Sequence, residues 1–421
     1  MARQRLARTR TAASTDTPAA ERPPEVTRTL VAVLALACAV TVANVYLSAP
    51  LLGLVSRDLG ISADRAGLVT TAGQLGYSLG LLFLLPLSDT VRRRPLLIVL
   101  VLGTVSGLAA AAAAPGLPAL AAAVLAAGTF TVIPQLLVPV ASGLAGPERR
   151  GRVVSILQAG VFTGAIAARV VGGAFGEFAG WRPVLAAAAV CTAAVGALTV
   201  AMLPRSADIP ATTPGVPRPS YPALLASLPG LLRESTLRRS LLFQGAAFGA
   251  FNMVWTALVF LLTGSGYGYT TLGASLFGAF GALGIAVAPL AGRAIDRYGP
   301  TPVVGLGLAG ITIGGALLMT AHAGWPAAAA GIAVLYAGLQ AAQVSNQTAV
   351  LAARPEAAGR MNTVYMFGTF LAGAAGSGIG AALYEAGGWI AVSGAATATG
   401  LAAGLVWTYV VLRAPAGGRG A

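Results

Sequence analysis

The chain has 421 residues, of which 56% are hydrophobic and 10% charged, with a mean hydropathy of +0.79. A water-soluble protein of that length could not keep so much apolar surface from solvent. The formal net charge is +14 and all 27 Lys-or-Arg positions are Arg, but their placement follows chain topology, which excludes a nucleic-acid-binding reading.

Residues 1–28 are rich in Arg, Thr, Ala and Pro and read as a disordered cytoplasmic tail. Apolar blocks of about 20 residues, the length that crosses roughly 30 Å of hydrocarbon, follow. Twelve are expected, near 30–52, 67–88, 95–114, 118–144, 152–178, 182–203, 239–263, 270–292, 301–320, 325–350, 360–386 and 388–412. They leave no room for a soluble catalytic domain. The first block follows a charged lead too long for a cleaved signal peptide and reads as a retained anchor. A Pro-rich segment, 204–238, divides the blocks six and six. Its end, "YPALLASLPGLLRESTLRRS", fits either a short interfacial helix or a loose linker. With the N-terminus in the cytoplasm, 23 arginines fall on the inner side and three (Arg57, Arg65 and Arg182) on the outer side, leaving Arg169 within a block. That bias places both termini, including a tail at 413–421, in the cytoplasm. The all-Arg, Ala- and Gly-rich composition points to a bacterial plasma membrane. Cys38 and Cys191 lie within spans and suggest neither a disulfide nor a metal site. His322, the only histidine, falls in a short outer loop.

The chain repeats itself. "PERRGRVVSILQAGVFTGAIAARVVGGAFGEFAGW" (147–181) aligns without a gap on "PEAAGRMNTVYMFGTFLAGAAGSGIGAALYEAGGW" (355–389), a displacement of 208 residues. Pro147/Pro355, Glu148/Glu356, Arg152/Arg360, Phe162/Phe370, Glu177/Glu385 and Trp181/Trp389 coincide. An even number of spans per half makes the repeats parallel, a design that places a substrate site between halves near the midplane. The expected fold is an all-α polytopic membrane protein. Its twelve transmembrane helices form two parallel six-helix repeats (29–203 and 239–412) around a central cavity.

The eleven amides beyond the tail are Asn44, Gln74, Gln135, Gln158, Gln244, Asn252, Gln340, Gln343, Asn346, Gln347 and Asn362. All lie in predicted spans, and none lies in the third, sixth, ninth or twelfth. An amide in hydrocarbon needs a partner or water, so it faces the bundle interior. The four spans without amides are therefore the lipid-facing ones. Gln340, Gln343 and Gln347 share one helix face, with Asn346 beside it. They fit cavity lining better than interhelical bonding, which rarely needs four amides. Tyr46, Tyr77, Trp255 and Tyr365 lie within spans, where rings can stack on an apolar ligand or simply pack.

The turn "LLPLSDTVRRRPLL" and its counterpart "PLAGRAIDRYGPTPV" resemble the loop Gly-x-x-x-Asp-Arg-x-Gly-Arg-Arg of the major facilitator superfamily. The second copy keeps Gly292, Asp296, Arg297 and Gly299; the first keeps Asp89, Arg93 and Arg94. Two copies at matching places in a duplicated chain make the resemblance specific, and it covers nearly the whole chain. It implies alternating access, with Asp89, Arg93, Arg94, Asp296 and Arg297 as a charged latch at the inner face. Inner-face topology alone also accounts for the arginines. Residues 44–80, "NQ" at 346–347 and "GRMNTVYM" at 359–366 further resemble bacterial drug-efflux-like members, which implies export of a drug or metabolite.

Arg169 departs from the family pattern. Antiporter members carry Gly-x-x-x-Gly-Pro-x-x-Gly-Gly in the fifth span; here Gly164, Ala168, Arg169, Gly172 and Gly173 stand in its place, with Arg169 at the proline position. Its repeat partner is Ser377. About nine residues, roughly 13 Å of helix, separate Arg169 from the outer end, so snorkelling relieves only part of its cost. Its partner is to be sought among backbone carbonyls, amides such as Asn44 or Gln135, water, or an anionic substrate. No Asp or Glu falls near the middle of any span. Proton coupling is thus implied by the resemblance and not by the residues. Uptake or exchange of an organic anion at Arg169 is the rival reading, and a non-transporting membrane sensor is the rival from another class. There is no buried Ser/His, His/Glu or Asp pair for catalysis and no nucleotide-binding loop. The expected partners are a small-molecule substrate, the bilayer and protons, with no metal or cofactor, and the chain is read as a monomer.

Overall fold

The computed structural model describes residues 27–205, 208, 220–264 and 267–413, and every regular element among them is helical. The rest of the two predicted tails and of the 204–238 linker lies outside the described residues. The first half starts with α1 (Arg28–Tyr46) and α2 (Ser48–Leu59), one crossing that bends at Leu47, three residues before Pro50. α3 (Ala63–Phe83) runs into a 3-10 turn at Leu85–Asp89, and α4 (Arg93–Ala112) returns. α5 (Leu117–Phe130) and α6 (Ile133–Leu144) form a second bent crossing, broken just ahead of Pro134. α7 (Pro147–Ala179) and α8 (Trp181–Met202) complete the half.

The linker contributes α9 (Tyr221–Leu231), which buries Leu224, Leu228 and Leu231. The second half holds α10 (Ser235–Thr263), α11 (Thr271–Ser275), a 3-10 stretch at Leu276–Gly281, α12 (Ala282–Tyr298), α13 (Pro300–Met319), α14 (Trp325–Ala353) and α15 (Ala358–Arg413). Ten helical stretches are long and apolar enough to cross a membrane. The longest, Pro355–Arg413, has 59 residues and turns at Gly388, where φ is 64° and ψ −162°.

Two differences from the sequence expectation have local causes. The block expected at 270–292 is divided into α11, the 3-10 stretch and α12. Gly273, Gly278 and Gly281 weaken an α-helix there, and Pro289 removes a hydrogen bond further on. The blocks expected at 360–386 and 388–412 are one run of helix, because its only non-helical residue is Gly388.

The repeat is visible in three dimensions. Gly180 and Gly388, 208 residues apart, both have positive φ, 83° and 64°, a conformation glycine adopts without a Cβ clash. Each is followed by a buried Trp whose indole N–H is satisfied: Trp181 donates to Asp58 Oδ2 at 3.0 Å, and Trp389 to the Leu318 carbonyl at 2.6 Å. α7 lies on α1 so closely that a Cβ at Gly164 would overlap the Ala39 carbonyl; α15 lies on α10 with Gly376 against the Gly249 carbonyl. The amide-free elements α4, α8, α13 and the part of α15 beyond Gly388 expose Leu102, Val190, Leu306 and Leu405. The remaining long helices surround a shared core that joins Leu34, Leu81 and Leu137 of the first half to Phe251, Leu335 and Tyr365 of the second.

Candidate functional site

A cavity of about 140 Å³ lies between the halves. The first half lines it from α1, α3, α6 and α7, the second from α10, α14 and α15 before Gly388. Each is an element that carries amides in the sequence. Arg169 on α7 is the charged residue at its wall and is only 4% exposed. Its guanidinium carbon sits 4.4 Å from the Tyr46 ring centroid and 4.8 Å from that of Trp255, so rings from opposite halves both meet this cation. Nη1 donates to the Ala165 carbonyl at 2.7 Å, one turn back on the same helix. Nε is buried without a partner. Among the described residues no Asp or Glu lines the cavity, and no ion pair within 4 Å includes Arg169.

Aromatic rings continue the wall. Tyr77 meets Phe370 at 4.5 Å, Phe370 meets Phe248 at 5.1 Å, and Phe251 meets Tyr336 at 4.7 Å and Trp255 at 5.9 Å. Amides interrupt this surface at Gln135, Gln340 and Gln343. Gln135 donates to the Tyr77 hydroxyl at 3.4 Å, whereas neither Gln340 nor Gln343 has a hydrogen-bond partner among the described residues. Gln135 and Gln343 stand 208 residues apart, as do Phe162 and Phe370, so the repeat supplies paired walls. Arg169 breaks the pairing, since its counterpart Ser377 lies off the cavity.

A second, smaller cavity lies beyond Arg169, toward the end of the bundle where α2 meets α3 and α10 meets α11. Arg169 lines both cavities, and Trp255 lines the second. The halves close on each other at this end. Arg57 Nη2 reaches Thr271 Oγ1 at 3.5 Å, and the Thr271 N–H donates to Glu177 Oε2 at 2.7 Å. The carboxylate so placed also favours the positive N-terminus of α11. Gly173 packs on Ser275, and a Cβ at Gly278 would come within 2.6 Å of Arg169 Cβ.

The comparisons with known proteins fit this geometry. The family model of the Major Facilitator Superfamily matches residues 34–350 and again 241–420. The chain is a member of the Major Facilitator Superfamily. This superfamily member is 39% identical over 417 residues to a probable transporter of Streptomyces coelicolor, covering 96% of this chain and 93% of that protein. It is 29% identical over 299 residues to a chloramphenicol resistance protein of Streptomyces lividans, covering 70% of this chain and 71% of the other. In fold it is similar to a POT family transporter crystallised with 5-aminolevulinic acid, with a TM-score of 0.74 at 13% identity over 91% of this chain and 96% of that one. The protein is thus a multi-pass membrane transporter.

Several candidate residues of this superfamily member sit away from the cavity. Asn44 donates to Thr192 Oγ1 at 2.9 Å and ties α1 to α8. Gln74 donates to Asn252 Oδ1 at 2.5 Å and reaches Ser377 Oγ at 3.3 Å, a buried bridge between halves. Asn346 bonds back to the Ala342 carbonyl at 2.9 Å, and Gln347 donates to Asn362 Oδ1 at 3.1 Å. Tyr46, Tyr77, Gln135, Arg169, Gln340, Gln343 and Tyr365 do line the cavity.

At the loop motif, no ion pair within 4 Å joins Asp89 or Asp296 to an arginine among the described residues. The linker residue Asp208 instead holds the start of α4: Arg94 N–H donates to its Oδ1 at 2.8 Å, and Arg93 N–H to its carbonyl at 3.0 Å. Sequence reasoning missed Phe248, Phe251 and Tyr336 at the cavity, and Glu177 with Thr271 at the seal. Helical spacing held a clue: Phe248 and Trp255 are seven apart, and Tyr336 lies one turn before Gln340.

Proposed function

We propose that this chain is a secondary transporter that exports a small organic compound, a drug or metabolite, from a bacterium by alternating access, driven by protons. The observation that carries the reading is a polar-and-aromatic cavity built from both halves, with a contact network between the halves beyond one end of it. A site made by two rigid bundles changes its access when they rock. The likeness to a chloramphenicol resistance protein supports export. In this reading the chain crosses the plasma membrane twelve times as a monomer, with 358–413 counted as two crossings divided at Gly388 and 271–298 as one. Both termini and α9 face the cytoplasm, and the two repeats, 29–203 and 239–412, act as the rocking bodies. The loop residues Asp89, Arg93, Arg94, Asp296 and Arg297 form a latch made in the state that opens away from them. Amides, tyrosine hydroxyls and Arg169 present the hydrogen-bonding groups at the cavity, and no Asp or Glu lines it among the described residues.

The test combines a growth screen with reconstituted transport. Deleting the gene should sensitise the host to at least one small organic compound, and proteoliposomes should move that compound faster under a pH gradient. Unchanged susceptibility, together with no movement in proteoliposomes, sinks the export reading; movement that ignores the gradient sinks proton coupling alone.

A further inference from the structure

Arg169 carries a positive charge that no Asp or Glu among the described residues pairs within 4 Å. The two neighbouring rings stabilise a desolvated cation, and they leave its charge in place. With Tyr46 and Trp255 close to its carbon, the guanidinium can donate only along its in-plane N–H edge. One N–H on that edge is used by the Ala165 carbonyl, and Nε–H is unused. A planar carboxylate is the group that matches a guanidinium edge. An uncompensated ion in a low-dielectric site is costly, and a bound anion offsets part of that cost.

The rest of the cavity limits the anion. Its volume of about 140 Å³ is close to that of an apolar cavity that takes one benzene ring. Phe248, Phe251, Tyr336 and Phe370 offer ring faces and edges. Gln340 and Gln343 on α14 leave their amides free for one further polar substituent.

Building on the transporter reading above, we propose that the substrate class is a flat aromatic monoanion, its carboxylate on the N–H edge of Arg169 and its ring in the aromatic wall. Arg169 as a clamp alone, pinning Trp255 across the interface, makes the opposite demand: binding would be indifferent to ligand charge.

Binding of benzoate, benzamide, benzyl alcohol and benzylamine to the purified full chain in nanodiscs, followed by calorimetry, separates the two. A charge-assisted contact favours benzoate over benzamide by about tenfold or more. R169Q should bring that ratio close to one while benzamide binding stays, and R169K should keep part of the preference. Equal affinity for benzoate and benzamide, preference for the amine, or no binding of benzoate overturns the proposal. If R169Q does not fold, the wild-type ratio decides. Counterflow of the same four compounds in proteoliposomes tests the transporter reading separately. Movement without anion preference leaves transport standing and removes the substrate class; anion-selective binding with no movement does the reverse.

Discussion

Arg169 shows how one side chain can be costly to the fold and useful to the site. Its charge is buried, its partners among the described residues are rings and one backbone carbonyl, and it lines a cavity. The amides divide by role in a way their residue type does not reveal. Gln343 is free at the cavity, whereas Asn44 is committed to Thr192. Gln343→Ala should therefore weaken substrate binding up to about tenfold and leave the melting temperature unchanged within error. Asn44→Ala should do the reverse, costing about 0.5–1.5 kcal/mol of stability with unchanged affinity. Ligand binding and thermal melting on the same two purified variants check both; exchanged phenotypes would reverse these assignments. Gly164 makes a stricter demand. A Cβ there overlaps the Ala39 carbonyl, so Gly164→Ala should force α7 off α1 at a cost of about 1–3 kcal/mol, read as a lowered melting temperature.

At the scale of elements, the contacts that matter join helices of different halves. Thr271 at the start of α11 is held by Glu177 from α7 and approached by Arg57 from α2. Glu177→Gln keeps an acceptor for the Thr271 N–H but removes its charge, a loss of about 1 kcal/mol. The population open at this end should rise about fivefold. Spin labels on cysteines placed at the exposed positions 65 and 322, with Cys38 and Cys191 replaced, should show a longer distance component in the variant. An unchanged distance distribution would mean that packing alone holds the seal. Glu385, the repeat counterpart of Glu177, makes no such bond among the described residues, so the seal is asymmetric although the chain is duplicated.

These elements also show how far a sequence can be read. The amide inventory picks out the elements that line the cavity, because an unpaired amide in hydrocarbon is excluded wherever it occurs along a helix. It does not distinguish an amide that faces the cavity from one that bridges two helices, since both sites satisfy the same rule. Asn252 and Gln343 look alike until partners are known. Phe248 and Phe251 were illegible for a related reason: phenylalanine suits lipid, core and cavity equally well. Glu177 was visible as an acid near a helix end. Its partner is a backbone N–H on an element 94 residues away, which no local pattern encodes.

For the whole molecule, the arginine distribution makes a prediction about orientation. A cysteine at His322 should react with an impermeant maleimide added outside intact cells, and one at Arg354 only after the membrane is opened. The opposite pattern would invert the protein and, with it, the direction of export.

Composition, block length and the 208-residue repeat determine that this chain is a membrane-spanning helical protein with two parallel halves. Those properties follow from local hydrophobicity and from sequence identity between segments, and neither needs contacts to be known. The motif at two matching loops places it in its superfamily. Only the tertiary structure decides which polar residues meet, because partner choice depends on rotation and depth of helices far apart in the chain. It puts Arg169 between Tyr46 and Trp255, commits Asn44 and Asn252 to other helices, and closes one end with Glu177 on Thr271.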